Sequence, residues 1–303
     1  MRPLWGIDLG GTKIEGIILK GPPPFNVLSR IRIPTEAEKG YAHIVQQVGR
    51  VVGLLKEESG LWPERLGVGG PGITDPDTGT MKNCNTTSLN GQPLKNDLEN
   101  MLDIPVTLAN DANCFVMAET RLGIVKGEAP EARSVFGVIM GTGVGGGIVF
   151  DGKLLEGRHG IAGEWGHNFL DESGGPCYCG RSGCVETVLS GPALERYYFQ
   201  LSGNNYRLPE IVERYRSGSD DAAAATMERL IHFFGKAMAA VINVLDPDVV
   251  VVGGGLGNIE LLYSKGVASV RKYVFNNGLK TKFLKPMLGD SAGVFGAALL
   301  VEE

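Results

Sequence analysis

Three apolar runs in this chain each end in a cluster of glycines, and the segment after each cluster limits the folds open to it. Residues 3–9 (PLWGIDL) lead into Gly10 and Gly11 and on into residues 13–20 (KIEGIILK). Residues 134–140 (SVFGVIM) lead into Gly141-Thr142-Gly143, with GGGIVF closing the second run. Residues 248–252 (DVVVV) lead into Gly253-Gly254-Gly255-Leu256-Gly257. The first two read as strand, tight turn, strand. A dinucleotide-binding fingerprint needs strand, turn and helix, so it is excluded there, and no G-x-x-x-x-G-K-S/T phosphate loop is present.

Hairpin geometry alone accounts for many glycine pairs. Bare N–H groups in such turns also make anion-binding concavities. Three in one chain, with Asp8, Thr12 and Lys13 beside the first, favour a nucleotide. Gly10, Gly11, Thr12 and Lys13, with Gly141, Thr142 and Gly143, would then face its phosphates. Asp8 would reach Mg²⁺, which takes one or two carboxylates along with phosphate oxygens. The third turn, with Gly254 and Gly255, has no neighbouring charge and suits the adenosine.

Between the turns the pattern alternates strand and helix. Residues 27–35 read as extended. Residues 39–58 carry Ile44, Val48, Val51, Val52 and Leu55 at helical spacing. A helix from about 219 to Leu245 shows Met227, Ile231, Phe234, Met238, Val241 and Leu245 as its apolar stripe, and stops at Asp246-Pro247. Residues 291–303 read as a closing helix with small residues on one face. The whole is α/β, and 303 residues leave room for two domains. A net charge of −5 and a pI near 5.5 argue against a nucleic-acid partner. No run approaches the roughly 18 apolar residues of a membrane span, and no signal peptide is visible before the first strand, so a cytoplasmic protein is expected.

Asn110 and Asp111 follow a predicted strand and open a predicted helix. Either residue could be an N-cap. Asp111 could also be a general base that accepts a hydroxyl proton during phosphoryl transfer. Five cysteines, an odd number with three inside residues 177–184, suit a reducing compartment better than a disulfide framework. His167, Cys177, Cys179 and Cys184 offer one imidazole and three thiols, a closed tetrahedral zinc set in which the metal would be structural. A redox pair and inert thiols are the competing readings, and C-x-C lacks the two-residue spacer of redox motifs. Glu164 and Glu186 flank this loop, either as solvated loop charges or as carboxylates fixed in place to accept hydrogen bonds from a ligand.

The motifs GIDLGGTK, NDANC, GTGVGGG, GEWGH and CYCGRSGCVE occur in that order and span almost the whole chain. Together they resemble the ROK family of sugar kinases and repressors. The resemblance implies an actin-like, ribonuclease-H-like ATPase fold: two α/β domains around a central cleft. The expected division is residues 1–117, closed by a helix near 292–303, and a larger domain over 118–291 with the zinc loop. It implies Asp111 as base, Asn110, Asp111, Glu164, His167 and Glu186 as sugar contacts, zinc on the His-Cys₃ set, Mg²⁺ with ATP, and a homodimer. Repressors of the family carry a helix-turn-helix before the first glycine turn, and only seven residues precede Asp8. KNCNTTSLNGQPL, PCYCGRSGCVET and LDPDVVVVGGGLGN are most similar to bacterial fructokinases that also act on mannose. The expected reaction is therefore ATP-dependent 6-phosphorylation of fructose, with mannose or glucose as further acceptors. The alternatives are an N-acetylglucosamine or N-acetylmannosamine kinase, or a non-catalytic sugar sensor.

Overall fold

The computed structural model describes residues 2–21 and 23–302. The chain forms two compact units, one from Met1–Glu128, Gly147–Ala162 and Met287–Glu303, the other from Ala129–Gly146 and Gly163–Pro286.

The first unit is built on β1 (Leu4–Leu9), β2 (Lys13–Lys20), β3 (Asn26–Pro34), α1 (Tyr41–Ser59), β4 (Leu66–Gly70), the short hairpin β5 (Ile73–Thr74) and β6 (Met81–Lys82), α2 (Leu94–Leu102), β7 (Val106–Asn110), α3 (Asp111–Arg121) and α4 (Ile124–Glu128). Its sheet runs β3-β2-β1-β4-β7. The hairpin read from Gly10-Gly11 is there, with Asp8 opposite Glu15 in antiparallel register, while β1, β4 and β7 are parallel. β1 is central and buried on both faces, so its sequence is nearly all apolar rather than alternating. Side chains still alternate along it. Trp5, Ile7 and Leu9 join the core formed with Ile44, Val48, Val51, Val52 and Leu55 of α1. Leu4 joins the core on the opposite face. By the same alternation Gly6 and Asp8 share that second face. α1 covers the residues expected and ends at Gly60, whose φ of 68° is the left-handed cap that glycine adopts without cost.

The second unit starts with β8 (Ser134–Met140). The chain passes back to the first unit within β9 (Val144–Phe150), which pairs with β10 (Lys153–Leu154). The second unit continues through α5 (Val185–Leu189), α6 (Gly191–Ser202), α7 (Leu208–Ser217), α8 (Asp221–Leu245), β11 (Val249–Gly253), α9 (Lys265–Val270) and β12 (Lys282–Leu284). β11 lies parallel to β8 and β12. The stripe expected on α8 is rotated. Met227, Phe234 and Met238 are buried, but so are Leu230, Phe233 and Ile242, whereas Ile231, Val241 and Leu245 are only half-buried. The helix packs against α6, α7 and α9, so its buried surface is wider than one stripe and its centre moves.

α10 (Ala292–Leu299) returns to the first unit and packs on β1, β4 and α3. Contact there is backbone to backbone. A Cβ on Gly67 would fall on the Ala297 carbonyl, and one on Gly296 on the Cys114 carbonyl. Glu119 of α3 is fully buried and accepts hydrogen bonds from the N–H groups of Ile124 (3.0 Å), Met287 (3.1 Å) and Leu288 (2.8 Å). Among the described residues no helix is long and apolar enough to cross a membrane.

Candidate active site

The first unit holds one group of candidate residues. The turn after β1 is closed by Gly10 N–H donating to the Lys13 carbonyl (3.0 Å). Thr35 secures it from β3: its hydroxyl donates to the Gly10 carbonyl (2.6 Å) and its N–H to the Thr12 carbonyl (3.0 Å). Gly11 and Thr12 stay exposed at the tip, and Lys13 is half-buried at the start of β2. Asp8 lies at the end of β1 beside the first turn of α10, where a Cβ on Gly293 would come within 2.9 Å of its carboxylate. Burial pushes the Asp8 carboxyl up to about 6, helped by the negative charges of Asp111 and Glu15 and opposed by Lys13 and Arg32. Glu15 is 1% exposed and neutralised by Arg30 and Arg32, with Arg30 also donating to Ser291.

Asn110 is the N-cap of α3, its side-chain oxygen accepting from the N–H groups of Ala112 (2.8 Å) and Asn113 (3.2 Å). This leaves Asp111 as the first helical residue, its carboxylate accepting from the Ala112 N–H at 2.8 Å and from the Asn110 side chain. The residue is exposed at the surface yet its carboxylate is crowded by the protein around it, and that desolvation raises its carboxyl above the ordinary carboxylate range, with backbone hydrogen bonds and the Asn110 side chain pulling the other way. A carboxylate of raised basicity in an accessible position is what a general base requires.

The second unit holds the rest. Gly141 N–H closes its turn on the Gly143 carbonyl (2.9 Å), and Gly191 N–H donates to the Gly141 carbonyl (2.8 Å). Glu186, in the first turn of α5, accepts from the Val144 N–H (3.0 Å), so the glycine turn and the cysteine loop are tied together. Trp165 anchors the same loop: its indole N–H donates to the Gly145 carbonyl (2.9 Å), and its ring packs edge-on against Phe136. Glu164, half-buried, precedes the single helical turn Trp165–His167.

The ligand atoms of His167, Cys177, Cys179 and Cys184 all lie within 4.8 Å of one another. Cys177 Sγ is 3.6 Å from His167 Nδ1, and Cys179 Sγ is 3.6 Å from Cys184 Sγ. A tetrahedral zinc with ~2.3 Å arms has edges of roughly 3.8 Å. The donor set therefore fits zinc in both chemistry and spacing, with no position left for substrate. His167 Nε2, on the other side of the ring, is 2.9 Å from the Tyr178 hydroxyl.

A cavity of about 600 Å³ lies entirely in the second unit, between the Gly141–Thr142 turn, the starts of α6 and α7, and Gly255–Leu256. Its volume falls within the roughly 300–1,000 Å³ of small-molecule sites. No protein atom lies within 4 Å of where a Cβ would sit on Gly141 or Gly255, so packing does not require glycine there, whereas the space leaves room for a ligand against the backbone. Gly254 differs: φ is +76° and a Cβ would strike Met140. Arg207, Leu208, Val212 and Arg216 line this cavity and were not among the residues expected from sequence. The available signal was the pair of helix starts at Gly191-Pro192 and Leu208-Pro209.

An N-acetyl-D-glucosamine kinase of Vibrio atlanticus is 35% identical over 306 aligned residues, covering 98% of each chain. The enzyme of that name from Yersinia pseudotuberculosis is 34% identical, again over 98% of each. Among solved structures, a ROK hexokinase from Thermus thermophilus superposes with a TM-score of 0.86 at 30% identity, covering 98% of this chain and 97% of that one. A ROK family glucokinase from Streptomyces griseus, in complex with glucose and AMPPNP, gives 0.77 at 29% identity over 99% of both. The fold is the actin-like ATPase fold. With the ROK family pattern matched along residues 4–303, the chain belongs to the ROK family.

Proposed function

We propose that the protein is an ATP-dependent sugar kinase that phosphorylates the 6-hydroxyl of N-acetyl-D-glucosamine, with Asp111 as general base. The observation that carries the substrate is the 34–35% identity, over 98% of both chains, to kinases named for that sugar. The relatives described above are named for N-acetyl-D-glucosamine, for glucose or as a hexokinase. The amino sugar therefore replaces fructose as the first choice, and glucose is the second reading, supported by the Streptomyces enzyme.

In this reading Asn110, Glu164, His167 and Glu186 hold the sugar hydroxyls. The exposed turn at Gly10, Gly11, Thr12 and Lys13 takes the nucleotide phosphates together with Gly141, Thr142 and Gly143, and the 600 Å³ cavity beside Gly254 and Gly255 takes the adenosine. Magnesium bound with the nucleotide supplies positive charge to the transferring phosphoryl group, and Asp8 is the carboxylate that would hold it. Asp111 removes the proton of the 6-hydroxyl as the new O–P bond forms and the bond between the γ-phosphorus and the bridging oxygen breaks. Its raised basicity suits that role. Zinc on His167, Cys177, Cys179 and Cys184 is structural: it fixes a glycine-rich loop whose ends carry Glu164 and Glu186.

The test is ADP release with Mg-ATP, comparing kcat/KM for N-acetyl-D-glucosamine, glucose, mannose, fructose and N-acetylmannosamine. The amino sugar should lead. A clear lead for fructose would reverse the substrate assignment, and no sugar-dependent release from any of them would remove the kinase reading.

A further inference from the structure

Tyr178 lies between two of the candidate metal ligands, Cys177 and Cys179, and is 78% exposed, an unusual degree for a tyrosine beside a metal loop. It is nevertheless ordered against one neighbour. Its hydroxyl is 2.9 Å from His167 Nε2 and its ring meets the imidazole edge-on, centroids 5.1 Å apart at 90°. The two nitrogens of His167 face different partners, since Nδ1 points to the sulfur of Cys177. With Nδ1 on a metal, the neutral ring carries its only proton on Nε2. That N–H has one good hydrogen bond to give, and the Tyr178 oxygen, 2.9 Å away, is placed to accept it.

The nitrogen so occupied is the one His167 can offer to a substrate. Glu164 and Glu186 both act electrostatically on the Tyr178 phenol, so the hydroxyl stands in the field of the two carboxylates assigned to the sugar. We propose that the Tyr178 hydroxyl is a stand-in for a sugar hydroxyl on His167 Nε2, and that substrate binds by displacing it. This rests on the sugar-kinase reading and deepens it. One N–H cannot serve both oxygens at full strength, so the phenol must leave. The backbone at 178 is held by the cysteines on either side, which leaves rotation of the side chain as the way out. Exposure makes that rotation feasible, because the ring gives up little beyond its contact with His167. The stand-in keeps the histidine donor satisfied and its ring oriented while the site is empty. It also sets a threshold: a ligand must offer an oxygen at Nε2 that outcompetes a phenol already in place. Tyr178 is therefore a positioning residue that acts through His167, and it weakens every sugar by the same step.

The test uses the metal-loaded protein, with zinc content measured for each variant. Binding of N-acetyl-D-glucosamine and of glucose is followed by calorimetry for the wild type, Tyr178→Phe and Tyr178→Ala. Removing only the hydroxyl should tighten both sugars about three- to tenfold, the worth of one hydrogen bond, and should lower KM for sugar while leaving kcat unchanged. Tyr178→Ala should tighten them as well, which separates the effect from ring packing. Equal or weaker binding by zinc-replete Tyr178→Phe overturns the displacement and, where the wild type still binds sugar, leaves the kinase reading standing. Failure of all three proteins to bind any hexose overturns both.

Discussion

Replacing Asp8 by Asn should make the protein more stable and less able to bind nucleotide. Burial holds the Asp8 carboxyl up to about 6 from an ordinary 3.8, so the folded, ligand-free chain binds this proton more tightly than the unfolded chain. A group raised in this way contributes its stability in full below the unfolded value and loses it as pH climbs through the folded one. A tenfold change in proton affinity is worth roughly 1.4 kcal/mol, so above pH 6 the ionised carboxylate costs the empty protein up to about 3 kcal/mol. Asp8→Asn removes that cost. Its melting temperature should coincide with that of the wild type near pH 3.8 and rise above it between there and about pH 6. It should then stay higher by roughly 5 °C. Differential scanning fluorimetry of both proteins over pH 4–8 measures this, and taking the difference cancels the other titrating groups. The same substitution should weaken Mg-ATP binding at pH 8, while wild-type affinity falls about tenfold at pH 5, where roughly a tenth of Asp8 is ionised. Equal melting temperatures at pH 8, or an Asn variant less stable than the wild type there, would refute the argument that burial and like charge govern Asp8.

Asp111→Ala should cut kcat by at least about 10²-fold with zinc content and melting temperature retained, and near-normal turnover would end its assignment as base. The raised carboxyl of Asp111 also predicts that kcat falls on acidification from a pH above the ordinary carboxylate range, a limb that rate–pH profiles would reveal. Glu119→Gln should lower the urea midpoint by the equivalent of about 2–4 kcal/mol. An amide leaves at least one of the Ile124, Met287 and Leu288 N–H groups facing another donor, and an unchanged midpoint would contradict that. Stripping the metal should loosen the 164–186 loop and weaken sugar binding together, and sugar affinity unchanged in metal-free protein would separate the two.

The parts of the fold that could be read from sequence were those written in local pattern. The Gly10-Gly11 hairpin, α1 with its face from Ile44 to Leu55, and the helix opening at Asn110-Asp111 each carry their turn or cap residues beside the periodic run. The His-Cys₃ set was legible because its ligands lie within 18 residues of sequence, so spacing nearly fixes geometry. Three things were out of reach for a physical reason. The buried face of α8 depends on which helices surround it, and no local period encodes the number of neighbours. The cavity beside Gly255 is assembled from four segments, and Arg207 and Arg216 carry no signal as exposed helix charges until those segments meet. The bond from Tyr178 to His167 is set by a side-chain rotation inside an irregular loop, below the resolution of any pattern in the residues.

The seating of α10 has a consequence in time. A chain made from its N-terminus produces β1 and Asp8 early, yet the wall that buries Asp8 is Gly293, and the strand glycines at 6 and 67 close against Ala297 and Ala298. Until α10 has been synthesised, that sheet face is an open trough and Asp8 is an ordinary hydrated carboxylate. The residues of the second unit end at Pro286, before α10 begins. A nascent chain therefore cannot enclose the Asp8 carboxylate until it has been made through α10.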